Sequence, residues 1–130
     1  MILPVTLCLA AAAAALNLWM SMRIGKVRST ARISIGDGGN EQLICRMRAQ
    51  ANFIENVPLV LLLIAAIELT GHGRAWLPVV GAVFMLGRLA HPLGMERPSP
   101  NVLRAGGTLI TMLTQLGLAV VAVLIVLGKI

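Results

Sequence analysis

Between Arg46 and Pro58 the chain sets Arg46, Arg48, Gln50, Asn52, Glu55 and Asn56 directly before an apolar run, Val57 to Ile67, that carries no charge. Guanidinium, amide and carboxylate groups at the lip of a membrane span are costly to desolvate, and such groups mark functional sites by default. Residues three and four apart share one face of a helix, so Arg48, Asn52, Glu55 and Asn56 form one stripe. Arg88 and His91 form a second, and Arg104, Thr108, Thr111 and Gln115 a third. Convergence of the three stripes predicts one polar pocket open to the cytoplasm, rich in arginine, with Glu55 as its buried acid. The field of such a pocket attracts an anion. A structural use of the same residues stays open. An Arg48–Glu55 pair between helices is modest glue, Arg104 at a helix start can snorkel, and Thr108 and Thr111 can bond back to their own helix.

The elements that must position these residues are read from hydropathy. The chain has 130 residues, 58% hydrophobic and 12% charged, against about 25% charged in soluble domains. Spans of about 20 apolar residues cross a bilayer, and four stand out, at about 2–22, 46–70, 75–95 and 105–127. Long unbroken runs favour helices, which satisfy their own backbone in lipid, over a barrel. The expected fold is an all-α integral membrane protein, a four-transmembrane-helix bundle forming a single domain over 1–130. The first run lacks the basic start and short apolar stretch of a cleaved signal peptide, so it reads as a retained span. Pro58 lies inside the second span and is expected to kink it.

With four spans both termini share a side. Arg23, Lys26, Arg28, Arg32, Arg46, Arg48, Arg88, Arg97 and Arg104, nine of the eleven basic residues, belong to loops one and three or the adjoining helix ends. Arg74 and Lys129 remain for the opposite side. The positive-inside rule then puts loops one and three in the cytoplasm and both termini outside, with Trp19 and Trp76 as interfacial aromatics. The net charge of +6 reads as a basic rim, and nucleic acid is not an expected partner because no soluble basic module is present. Gly36-Asp37-Gly38-Gly39-Asn40 is a turn, with Asp37 or Asn40 as the cap of the second helix. Cys8 and Cys45 fall on opposite sides, which excludes a disulfide framework. His72 and His91 are too dispersed to suggest a metal site.

The run Arg48-Ala-Gln50-Ala-Asn52-Phe-Ile-Glu55-Asn56-Val-Pro58 resembles the second-helix signature of the MAPEG family, the membrane-associated proteins in eicosanoid and glutathione metabolism. Gly87-Arg88-Leu-Ala-His91 resembles the third helix, Leu103-Arg104 the start of the fourth, and the Gly36-Asp37-Gly38-Gly39 turn is similar to that of small bacterial members. The resemblance implies a homotrimer in a bacterial inner membrane, with glutathione as cosubstrate bound between protomers on the cytoplasmic side. It implies that Arg48, Gln50, Asn52 and Glu55 hold the tripeptide, that Arg88 and His91 line the site, and that Arg104 faces the thiol. A guanidinium beside a thiol favours the thiolate, the nucleophilic form. The chain has no tyrosine, whereas well-studied members use tyrosines to help hold glutathione; Asn56 stands where one is common.

The function expected from this resemblance is that of a membrane-bound glutathione transferase or peroxidase acting in detoxification. It would attack a lipophilic small-molecule substrate that enters from membrane lipid. A non-catalytic scaffold of the same fold and a small-molecule carrier are the alternatives.

Overall fold

The computed structural model describes residues 2–73 and 75–130. Its elements are four helices, α1 (Pro4–Ala31), α2 (Glu41–Leu69), α3 (Leu77–Met95) and α4 (Val102–Val126), each long and apolar enough to cross a membrane. The four-helix bundle expected from hydropathy is the fold.

Local chemistry sets the helix ends. Proline within the first two positions opens α1 and α3, where its missing N–H costs no hydrogen bond. Asn40 Oδ1 accepts from Leu43 N at 2.9 Å to cap α2, and Asn101 Oδ1 accepts from Leu103 N and Arg104 N to cap α4. Asp37 instead accepts from Gly39 N at 2.9 Å and closes the turn that precedes α2. The start of α1 is capped from another helix. Glu68, near the end of α2, accepts from Val5 N, Thr6 N and Thr6 Oγ1 at 2.7–2.9 Å.

Two boundaries differ from the hydropathy reading. α1 runs past Met22 to Ala31, and α2 begins at Glu41, so the connection shrinks to residues 32–40. Charge ends a hydropathy run without ending a helix, because arginine and lysine are good helix formers. The expectation for Arg74 lies outside the described residues.

The core follows one side of each helix and centres on Phe53, Val57, Val60, Ile64, Phe84, Met85 and Leu118. Large apolar residues such as Leu62, Leu86, Leu116 and Val123 face outward, as a bundle solvated by lipid requires. Between α3 and α4 the backbones approach closely at glycine. A Cβ on Gly107 would meet Gly87 O at 2.6 Å and His91 Cβ at 2.8 Å, and one on Gly94 would strike the Arg104 backbone. This contact seats the start of α4 against His91.

Candidate functional site

Arg88, on the inner face of α3, is 1% exposed. Its Nη1 donates to Thr111 Oγ1 of α4 at 2.9 Å, its Nη2 donates to Asn52 Oδ1 of α2 at 2.8 Å, and its guanidinium lies 5.7 Å from the Phe53 ring centroid. Thr111 donates in turn to Gly107 O at 2.8 Å. Each hydrogen bond to a charged group contributes about 1.5–3 kcal/mol, so this cation fastens three helices at one point. No acidic partner reaches it among the described residues, and its Nε has no hydrogen-bond acceptor.

The bond from Arg88 also orients Asn52. A guanidinium only donates, so the amide oxygen must face it, which leaves the amide nitrogen as a donor beyond the cluster. Asn56 Nδ2 donates to Asn52 O at 2.7 Å, which leaves the Asn56 oxygen as an acceptor. One turn along α3, His91 Nδ1 lies 3.3 Å from both Arg104 O and Thr108 Oγ1, and Thr108 Oγ1 donates to Arg104 O at 3.0 Å. Thr108 and Thr111 thus both bond back to their own helix, and each also meets a polar group of α3.

The remaining residues separate from this inner cluster. Gln50 Nε2 donates to Asn17 Oδ1 at 3.1 Å and Ser21 Oγ at 2.7 Å, tying α2 to α1. Arg48, Glu55 and Arg104 are exposed, and the Arg48–Glu55 pair expected from the stripe is not formed. Helical geometry gives the reason. At 3.6 residues per turn the stripe from Glu55 through Arg48 and Asn52 to Asn56 spans about 100°. The edge of the bundle runs through it, with Asn52 and Asn56 partly inside and Arg48 and Glu55 outside. Within one chain, then, the three polar stripes form a packed inner layer and a separate set of outward charges.

Two acids that spacing does not single out hold the frame. Glu96, the cap of α3, receives Arg46 Nε at 2.7 Å and Arg46 Nη2 at 3.2 Å, is bridged by Arg23 of α1, and lies 3.5 Å from Gln42 Nε2. Burial alone would raise its pKa. The hydrogen bonds from Arg46 and the charges of Arg23 and Arg46 outweigh that and hold the carboxyl below the ordinary glutamate value. Arg46 also donates to Arg23 O at 2.6 Å, and Arg23 stacks 4.6 Å from the Trp19 ring centroid. Neither Glu96 nor Glu68 belongs to any of the three polar stripes. Only the fold brings their partners to them.

A membrane bundle of four helices, with a buried arginine bonded to its neighbours by an asparagine and a threonine, defines the class of protein. The chain belongs to the MAPEG family, whose model matches residues 6–124. It is similar to the inner membrane protein YecN of Escherichia coli strain K12 and to YecN of E. coli O6:H1, strain CFT073, at 29% identity over 76 residues in each case. Those residues are 58% of this chain and 58% of the relative, so the chain covers little more than half the length of the curated relatives it matches. No solved structure matches. Membership makes this an integral membrane protein of a family with a glutathione-related role in general.

Proposed function

We propose that the protein is a glutathione transferase or peroxidase of the membrane, active as a homotrimer, in which the outward charges of one protomer complete a glutathione site with its neighbour. The observation that carries this reading is that Arg48, Glu55 and Arg104 stand outside the packed core of a MAPEG-family bundle, with no ion pair among the described residues. Glutathione has two carboxylates, one ammonium and one thiol, and these groups complement that set. Arg48 pairs with a carboxylate, Glu55 with the ammonium, and the Asn52 and Gln50 amides with the peptide. Arg104 stabilises the thiolate as an opposite charge, while His91 and Arg88 support the wall behind it.

The thiolate then attacks a lipophilic electrophile, a C–S bond forms and the leaving group departs with the bonding pair. With a lipid hydroperoxide it attacks the terminal oxygen instead. The O–O bond breaks to give the alcohol and a sulfenic acid, and a second glutathione converts the sulfenic acid to disulfide and water. The acceptor enters from lipid between helices. Loops one and three face the cytoplasm of a bacterial inner membrane, with both termini outside.

The test is glutathione binding to detergent-purified protein by calorimetry, with ultraviolet absorbance of the bound thiolate, for the parent and Arg104→Ala. The reading expects binding in both and a thiolate signal in the parent only. No binding at millimolar ligand would replace it with the non-catalytic scaffold, which the absence of tyrosine favours.

A further inference from the structure

Gln115 is the one member of the third polar stripe with no part in the packed layer around Arg88 and His91. It stands in α4 between Val102 and Val126, about 20 Å from the first end and about 16 Å from the second at 1.5 Å per residue. That is the middle of the span, and no polar side chain follows it in the helix. The side chain is half-buried at the edge of the bundle, with Thr111 and Leu118 buried on its inner side and Met112 and Leu116 exposed on its outer side. No hydrogen bond reaches it among the described residues. Its neighbours on the stripe, Thr108 and Thr111, give their hydroxyls to Arg104 O and Gly107 O instead.

An unpaired amide at the middle of a bilayer is costly, because hydrocarbon offers it neither a donor nor an acceptor. Snorkelling brings no relief, since the side chain is far shorter than the distance to either interface. Ordinary lipid chains cannot satisfy it. The helix turns through only about 20° net between Arg104 and Gln115, so the two residues share one edge of α4 about 16 Å apart. That edge is where an acceptor must lie if the thiolate forms at Arg104. A neighbouring helix packed over Gln115 would close the path that the reaction needs.

We infer that Gln115 is a specificity-determining residue for the acceptor, and that the acceptor is a long-chain lipid with a hydroxyl or carbonyl oxygen about 16 Å from its electrophilic carbon. The inference rests on the transferase reading above and gives that reading a substrate class. An enzyme that takes its acceptor from the membrane meets a large excess of plain hydrocarbon chains. A hydrogen-bonding group within the apolar path separates the acceptor from them, because a chain without the oxygen leaves the amide unpaired. The amide carries both a donor and an acceptor, so either oxygen group serves.

The test is glutathione conjugation in proteoliposomes by the parent and Gln115→Leu, with three long-chain enones of equal length. One is unsubstituted, one has a hydroxyl about 16 Å from the β-carbon along the extended chain, and one has it at about half that distance. The thiolate adds to the β-carbon, a C–S bond forms, and the enolate that receives the π pair takes a proton from water. The parent should prefer the far hydroxyl over the other two about fivefold in kcat/KM, the discrimination of one hydrogen bond between neutral groups. Gln115→Leu should lose that preference and convert the unsubstituted enone at least as fast as the parent. Equal rates for the three enones in the parent overturn the inference and leave the transferase reading standing. A Gln115→Leu protein that is slower on all three alike and melts at a lower temperature assigns the amide to helix packing, which overturns the inference as well. No conjugation of any enone, with no bound thiolate, fails the transferase reading and this inference with it.

Discussion

Asn52 is bonded to a cation that it cannot neutralise, and the two ways of changing it should have opposite effects. Asn52→Leu removes the acceptor at 2.8 Å and leaves a buried guanidinium one hydrogen bond poorer. That should cost about 2 kcal/mol, the size of a hydrogen bond to a charged group. Asn52→Asp offers Arg88 a carboxylate in the same place, so its melting temperature should equal or exceed the parent's. The same change deletes the outward amide donor, and glutathione affinity should fall in spite of the intact fold. Thermal unfolding in detergent with binding calorimetry separates the two effects. If Asn52→Asp melts below Asn52→Leu, Arg88 does not govern this position. The polar run around Asn52 was legible from its placement against an apolar stretch. Which members of the stripe turn inward was not, because Arg48, Glu55 and Asn52 differ by only tens of degrees around α2 and the packing of α3 decides between them.

The joints between helices rest on features that are weak in sequence and strong in space. Gly106 and Gly107 look alike in a run of small residues, but an added Cβ at Gly106 meets nothing within 4 Å whereas at Gly107 it meets the Gly87 carbonyl and His91. Gly106→Ala should therefore leave the stability read by thermal unfolding unchanged or raise it, by up to about 1 kcal/mol of helix propensity. Gly107→Ala should lower it by about 1–3 kcal/mol of overpacking. Equal effects would mean that α3 and α4 do not meet as described. At the basic end Glu96 joins α1, α2 and the end of α3. Its folded pKa is depressed, so its contribution is complete above the ordinary glutamate value of about 4.3 and is lost as pH falls through the lowered value. Glu96→Gln should cost about 1 kcal/mol at neutral pH, the upper range for a partly exposed ion pair. It should also show a smaller drop in melting temperature than the parent between pH 7 and acid; parallel drops would remove Glu96 from the account. The helices themselves were legible because hydropathy runs and capping residues are local. The continuation of α1 to Ala31 was not, because a charged helical turn and a charged loop look the same until Arg32 closes the helix.

At the scale of the whole molecule, charge asymmetry carries the orientation. Lys26, Arg28, Arg32, Arg46 and Arg97 belong to the end formed by the α1–α2 and α3–α4 connections, while Lys129 belongs to the end that holds both termini. Basic residues resist translocation, and their excess in short loops sets the side that stays in the cytoplasm. The spans alone do not decide this, since a bundle of four apolar helices packs equally well either way up. Single cysteines at Ser34 and Lys129, in a chain with Cys8 and Cys45 replaced by alanine, give each end a reporter. In sealed spheroplasts a membrane-impermeant maleimide should label position 129 and spare position 34, and permeabilised cells should label both. Labelling of position 34 alone would turn the molecule over. It would move the basic rim and the anion-attracting residues Arg48 and Arg104 to the outside, away from the glutathione of the cytoplasm, and the transferase reading would lose its cosubstrate. Orientation is thus the property of the whole bundle on which the chemistry proposed for single residues depends.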